Sequence, residues 1–296
     1  MPLSLPPGHP LEALAGRPPP SGARDARIGV INVMPGGEVY ERMLGRALAG
    51  TSFLVEPRFI RLRTHAYKST DHAHLDRWYR TYDEVLGEGR LDGLILTGAP
   101  IEHLPLAEVR YWPELRGILE RAQREGGSTL GLCWGAIALA DLVGIGPEVL
   151  RGKLFGVFPH AVLSGGGTLL GADPVFTCPH SRHAGLRRAD LDRALAADRV
   201  SLLAEVDGAG PAVFATRDHR LVAHLGHPEY EAERLAFEWR RDRHKGRADV
   251  PEPTGLDVER PSTTWASHTA TLFERWIGVA VRNARDGSAH PPVAGE

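Results

Sequence analysis

Short apolar runs alternate with helical stretches through the first half of the chain, and this alternation limits the possible folds more than any other feature. The runs Arg27–Met34, Phe53–Leu62, Leu91–Thr97 and Ser128–Cys133 suit buried strands. Between them lie candidate helices at Val39–Ala49, around Arg77–Gly87, at Trp112–Arg124 and at Gly135–Val143. Strands that alternate with helices predict an α/β fold, a mainly parallel sheet flanked by helices on both faces. Shorter, Gly-punctuated runs follow at Lys153–Phe158, Val200–Glu205, Ala212–Thr216 and Leu221–Leu225. Two further helices are predicted at Glu231–His244 and Thr264–Asn283. Residues 1–25 are rich in Pro and Gly and read as an irregular arm, residues 26–284 as one α/β domain, and 285–296 as a loose tail.

The composition excludes several classes. Thirty-five basic residues against 37 acidic ones give neither the basic field of a nucleic-acid binder nor an acidic tail. Two cysteines, Cys133 and Cys178, make no disulfide framework, so a reduced, cytoplasmic compartment is expected. No stretch suits a membrane span, and the first twenty residues lack signal-peptide features.

The pentapeptide Gly131-Leu132-Cys133-Trp134-Gly135 has the form G-x-C-x-G. It fits a nucleophile elbow, in which small flanking residues let a sharp strand-to-helix turn pack closely. The following helix would offer a positive N-terminus that favours thiolate, and the Trp134 N–H would face a developing oxyanion. A buried cysteine acting as a small hydrophobe is the alternative reading. A cysteine nucleophile needs a base, and Gly226-His227-Pro228-Glu229 follows directly on an apolar run. Pro228 biases His227 toward extended backbone, where residues i and i+2 share a face, so Glu229 could orient the ring. Thr97-Gly98-Ala99-Pro100 ends another strand, and the Ala99 amide is a candidate for the oxyanion hole; an ordinary strand-ending turn is the alternative.

With these motifs the chain resembles the homoserine O-acyltransferases, which share the class I glutamine amidotransferase-like, flavodoxin-like three-layer fold. The resemblance rests on Ile31-Asn32-Val33-Met34-Pro35, Asp92–Pro100, Tyr111-Trp112-Pro113, the Cys133 elbow, Lys153–Val157, Pro179-His180-Ser181-Arg182, His227-Pro228-Glu229-Tyr230 and Trp265–His268, in the family's order. It implies acyl transfer in two steps. Cys133 takes the acyl group from acyl-CoA as a thioester, and the homoserine hydroxyl attacks it with His227 as base and Glu229 as its orienting partner. The resemblance assigns Arg241 to the acceptor carboxylate, Glu238 to an acidic partner one turn away, and Lys153 and Ser181 to further substrate contacts. It also implies a homodimer, no tightly bound cofactor and no metal, with acetyl-CoA as cosubstrate.

Glu102 resembles the position that selects the acyl donor. A glutamate there repels the terminal carboxylate of succinyl-CoA and leaves room for acetyl. One departure stands out: where the family has two lysines after Met-Pro, this chain has Gly36 and Gly37. That change makes L-serine an alternative acceptor. The rival readings are a subunit of a glutamine amidotransferase, a cysteine hydrolase on the same sheet, and an inactive amino-acid-binding protein. Against the first, the register after the cysteine reads Trp134-Gly135-Ala136-Ile137 and lacks the expected glutamine.

Overall fold

A computed structural model describes residues 3–14, 24–247 and 249–288. Nine strands form one sheet: β1 Arg24–Ile31, β2 Phe53–Ile60, β3 Gly93–Leu96, β4 Ser128–Leu132, β5 Pro147–Val162, β6 Val175–Leu186, β7 Ser201–Val206, β8 Gly210–Ala215 and β9 Leu221–His224. Their spatial order is β2-β1-β3-β4-β9-β8-β7-β5-β6. The first five run parallel and the last four pair antiparallel. The parallel half carries the predicted α/β pattern. The antiparallel half extends it through the long β5–β6 hairpin, and β6 has no counterpart among the predicted strands.

The helices are α1 Gly37–Ala49, α2 His72–Trp78, α3 Tyr82–Gly87, α4 Trp112–Glu125, α5 Trp134–Leu142, α6 Gly167–Leu170, α7 Arg188–Ala196, α8 Ala232–His244 and α9 Ala266–Ser288. The single helix expected around Arg77–Gly87 is broken in two. Arg80 leaves the helix to exchange backbone hydrogen bonds with β2, and Thr81 then opens α3 with a capping box to Glu84. Helices α6 and α7 are additions to the predicted set. Residues 285–288, expected to belong to a loose tail, continue α9 through Ser288; residues 289–296 lie outside the described set. In the N-terminal arm, Leu3 bridges to Val55 of β2, and Leu3 and Leu11 are buried; residues 15–23 lie outside the described set.

Strands β3, β4 and β9 are buried at every position, as strands covered on both faces must be. One core fills the side where Leu44, Leu48, Phe273 and Trp276 of α1 and α9 meet Val30, Ile95 and Leu130. The other fills the side where Leu115, Leu119 and Leu139 of α4 and α5 meet Ile31, Leu94 and Ala223. A third cluster joins Met34, Tyr40, Phe155, Tyr230, Leu235 and Trp265. It packs the start of α8 against the loop after β1 and brings both to the carboxyl ends of the parallel strands. Ligands of open α/β sheets bind at those ends.

Candidate active site

Cys133 sits where β4 turns into α5, with φ 51° and ψ −112°. Positive φ is costly for a residue with a Cβ and persists only where the surroundings enforce it. The surroundings here do so. The Cys133 N–H donates to the His224 carbonyl at 2.9 Å, and its own carbonyl accepts from Ala136 N–H at 3.0 Å. The flanking glycines are sterically required. A Cβ on Gly131 would lie 2.5 Å from the Gly135 oxygen, and one on Gly135 would lie 2.4 Å from the Leu96 oxygen. The elbow therefore seats the start of α5 directly on the neighbouring strand β3.

His227 follows β9, with its N–H donating to the Pro179 carbonyl at 2.8 Å. Its ring nitrogen Nδ1 stands 2.8 Å from Glu229 Oε1, and both residues are buried. The two meet through a tight turn rather than along the extended segment expected. Tyr230 N–H donates to the His227 carbonyl at 3.1 Å, and Pro228 occupies the position whose fixed φ favours that turn. The Tyr230 ring stacks on the imidazole with centroids 3.9 Å apart. Burial alone would lower the His227 pKa; the Cys133 thiolate and the Glu229 carboxylate more than reverse this and push it up to about 10. The resting imidazole is therefore set toward its cation.

Gly98 closes the third side. A Cβ there would lie 3.3 Å from Cys133 Cβ and 3.4 Å from His227 Cε1, so a side chain at this position would press on both catalytic residues. The next residue, Ala99, is buried beside it. Trp134 opens α5, and helix geometry leaves its N–H without an intrahelical acceptor. Three neighbouring strand ends thus converge on one sulfur.

The remaining predicted residues fall into three sets. Ser181 Oγ–H donates to Glu238 Oε2 at 2.6 Å, which joins β6 to α8. Glu238 is 4% exposed, so it is no surface carboxylate. Its cationic partner is Arg234, at 3.0 Å, rather than Arg241. Arg241 turns to Asp242 at 2.8 Å, and Lys153 approaches the same carboxylate at 3.5 Å. The Lys153 side chain is only 6% exposed and its Nζ lies 4.0 Å from the Phe155 ring centre, so it is no surface lysine either. Glu102 Oε1 accepts the His183 N–H at 3.2 Å, two residues along β6 from Ser181.

Sequence reasoning gave no role to Arg182, Tyr230, Tyr40 or Arg234. Arg182 is fully buried, with Nε–H donating to His180 at 3.1 Å and Nη1–H to the Ala184 carbonyl at 2.6 Å. Burial pulls its pKa down to about 10, and the nearby Cys133 thiolate opposes that fall. Arg234 carried one legible signal, its placement four residues before Glu238 on a predicted helix. The Tyr40 contact, 194 residues away in the chain, left none. Gly36 lies in the left-handed region at φ 64°, which suits glycine at the start of α1. Gly37 packs against Asn32 and Thr70.

Behind the site, donor atoms of Cys178, His224 and His268 lie within 4.8 Å of one another. The two imidazoles among them are joined by a hydrogen bond. His224 Nδ1 accepts the Gly226 N–H, so its proton sits on Nε2 and points to His268 Nε2 at 3.1 Å. Burial holds both rings below the usual imidazole range.

Solved structures share this architecture. A glutamine amido transferase from Methylobacillus flagellatus superposes with a TM-score of 0.53 at 14% identity, covering 93% of this chain and 99% of that one. A glutamine amidotransferase from Thermotoga maritima also gives 0.53, at 13% identity, covering 88% and 98%. The fold is thus of the class I glutamine amidotransferase-like kind, with a cysteine at its β4–α5 elbow. The family model for homoserine O-succinyltransferase matches residues 18–285. Homoserine O-acetyltransferases from Acetivibrio thermocellus, Brevibacillus brevis and Geobacillus kaustophilus are 36%, 37% and 38% identical, each over 87% of this chain and 85–86% of their own length. The chain belongs to the homoserine O-succinyltransferase family, and it is an acyltransferase.

Proposed function

We propose that the protein transfers an acetyl group from acetyl-CoA to the hydroxyl of L-homoserine, giving O-acetyl-L-homoserine and CoA for methionine biosynthesis. The observation that carries this reading is the contact set Cys133, His227 and Glu229 at the ends of β4 and β9. In the first step the Cys133 thiolate attacks the thioester carbonyl. The developing oxyanion is met by the amides of Trp134 and Ala99, and CoA leaves with a proton from His227. In the second step His227 takes the proton of the homoserine hydroxyl, whose oxygen attacks the Cys133 thioester and expels the thiolate. Glu229 holds the imidazole in one orientation and stabilises its cation. Arg241 and Lys153 attract the acceptor carboxylate, and Ser181 with Glu238 lines the same pocket. Glu102, on the loop that continues from Gly98, places a carboxylate where succinyl would put its own. The protein acts as a cytoplasmic homodimer with no resident cofactor.

The test is release of free CoA thiol from acetyl-CoA or succinyl-CoA, each with L-homoserine or L-serine. Acetyl-CoA with homoserine is the expected pair, and Cys133→Ala abolishes release. Preference for serine would replace the acceptor and give Gly36-Gly37 its meaning. No acceptor-dependent release from any pair would refute the transferase reading.

A further inference from the structure

Glu238 is the carboxylate that the proposed reaction would turn toward the acceptor's ammonium group. Its charge is already answered within the chain. Arg234, one helical turn earlier on α8, donates Nε–H to Glu238 Oε1 at 3.0 Å, and Tyr230 O–H donates to the same oxygen at 3.1 Å. Ser181 takes the other oxygen at 2.6 Å. The ion pair is well covered, with side chains 14% and 5% exposed. Burial pushes the Glu238 carboxyl up, but Arg234 and Ser181 outweigh it and hold the group ionised.

Arg234 cannot easily swing away. Its Nη2–H donates to Tyr40 Oη at 2.5 Å, and its guanidinium carbon lies 4.9 Å from the Tyr40 ring centre. Tyr40 stands in the first turn of α1, just after Gly36 and Gly37. The guanidinium is thus clamped between α1 and α8. An ammonium group approaching Glu238 would meet a fixed cation at hydrogen-bond distance from the same carboxylate, and like charges that close repel in a poorly solvated site.

The rest of the pocket points the same way. Lys153 and Arg241 share one carboxylate, Asp242. Both cations also lie close enough to Glu238 to act on its charge.

Building on the transferase reading, we infer that Arg234 determines acceptor specificity. By engaging the Glu238 carboxylate it competes with an α-ammonium group for that charge, so the site takes short ω-hydroxy carboxylates with little regard for an amino substituent. The carboxylate and the hydroxyl carry recognition.

The experiment compares kcat/KM for L-homoserine and 4-hydroxybutyrate, which is homoserine without its amine, with acetyl-CoA as donor. It uses the full chain and the variants Arg234→Met and Arg234→Lys. Wild-type enzyme is expected to use the two acceptors within about tenfold of each other. Arg234→Met frees Glu238 and is expected to shift the ratio toward homoserine by about tenfold, through KM rather than kcat. Arg234→Lys keeps the charge and the wild-type ratio. An unchanged ratio in a folded Arg234→Met enzyme overturns the inference. So does a wild-type enzyme that favours homoserine by well over tenfold, a measurement that stands even if the methionine variant does not fold. In both cases the transferase reading survives. Turnover of neither acceptor ends both proposals.

Discussion

The Leu96 carbonyl oxygen lies 2.4 Å from the point where a Cβ on Gly135 would sit. That contact ties the first turn of α5 to the end of β3 and fixes the height at which the elbow holds Cys133. Gly135→Ala must push one backbone segment off the other, an overpacking cost of about 3 kcal/mol. A thermal melt is expected to show the loss, and any folded fraction is expected to lose Cys133 acylation. A variant with wild-type melting and activity would mean that the elbow tolerates displacement.

Glu229→Gln keeps the shape beside His227 and removes the charge. The amide can present its N–H₂ to Nδ1 and favour the wrong tautomer. A fall in kcat of about 10³- to 10⁴-fold is expected, with the fold retained. Thermal stability is expected to fall as well, because the buried imidazolium loses its carboxylate partner at 2.8 Å. Activity within a few-fold of wild type would remove Glu229 from the mechanism.

The His227 pKa is raised from 6.5 to about 10 in the folded chain. A raised folded pKa contributes stability that is fully present below pH 6.5 and fades as pH rises through about 10. Melting temperature is therefore expected to decline across that window. In Cys133→Ala, which lacks one of the two partners that raise this pKa, the decline is expected to be shallower. Parallel curves for the two proteins would mean that Cys133 does not hold up the His227 pKa.

Glu102→Gly removes the carboxylate that accepts the His183 N–H. The variant is expected to gain kcat/KM for succinyl-CoA by about tenfold or more, since close like charges cost several kcal/mol. Its use of acetyl-CoA is expected to change far less. Measurement of both donors with one acceptor decides the point, and an unchanged donor ratio would place Glu102 outside the acyl pocket.

The parts of the site legible in the sequence are those encoded over a few residues. The strand–helix alternation follows from local periodicity, and the Gly131–Gly135 spacing follows from the sterics of one turn. Glu229 lies two residues from His227, so their contact needs no distant packing, although a Pro228 turn and not an extended segment produces it. Tertiary structure decided what depends on distant elements meeting. Among 14 histidines, only the β4–β9 pairing sets His227 against Cys133. The β5–β6 hairpin buries Lys153 and delivers Ser181 to Glu238. Helix α1 brings Tyr40 to Arg234, so the partner of Glu238 is Arg234 and not Arg241. A carboxylate on a helix face has several cations within reach, and packing against other elements, not spacing along the chain, determines which of them it keeps.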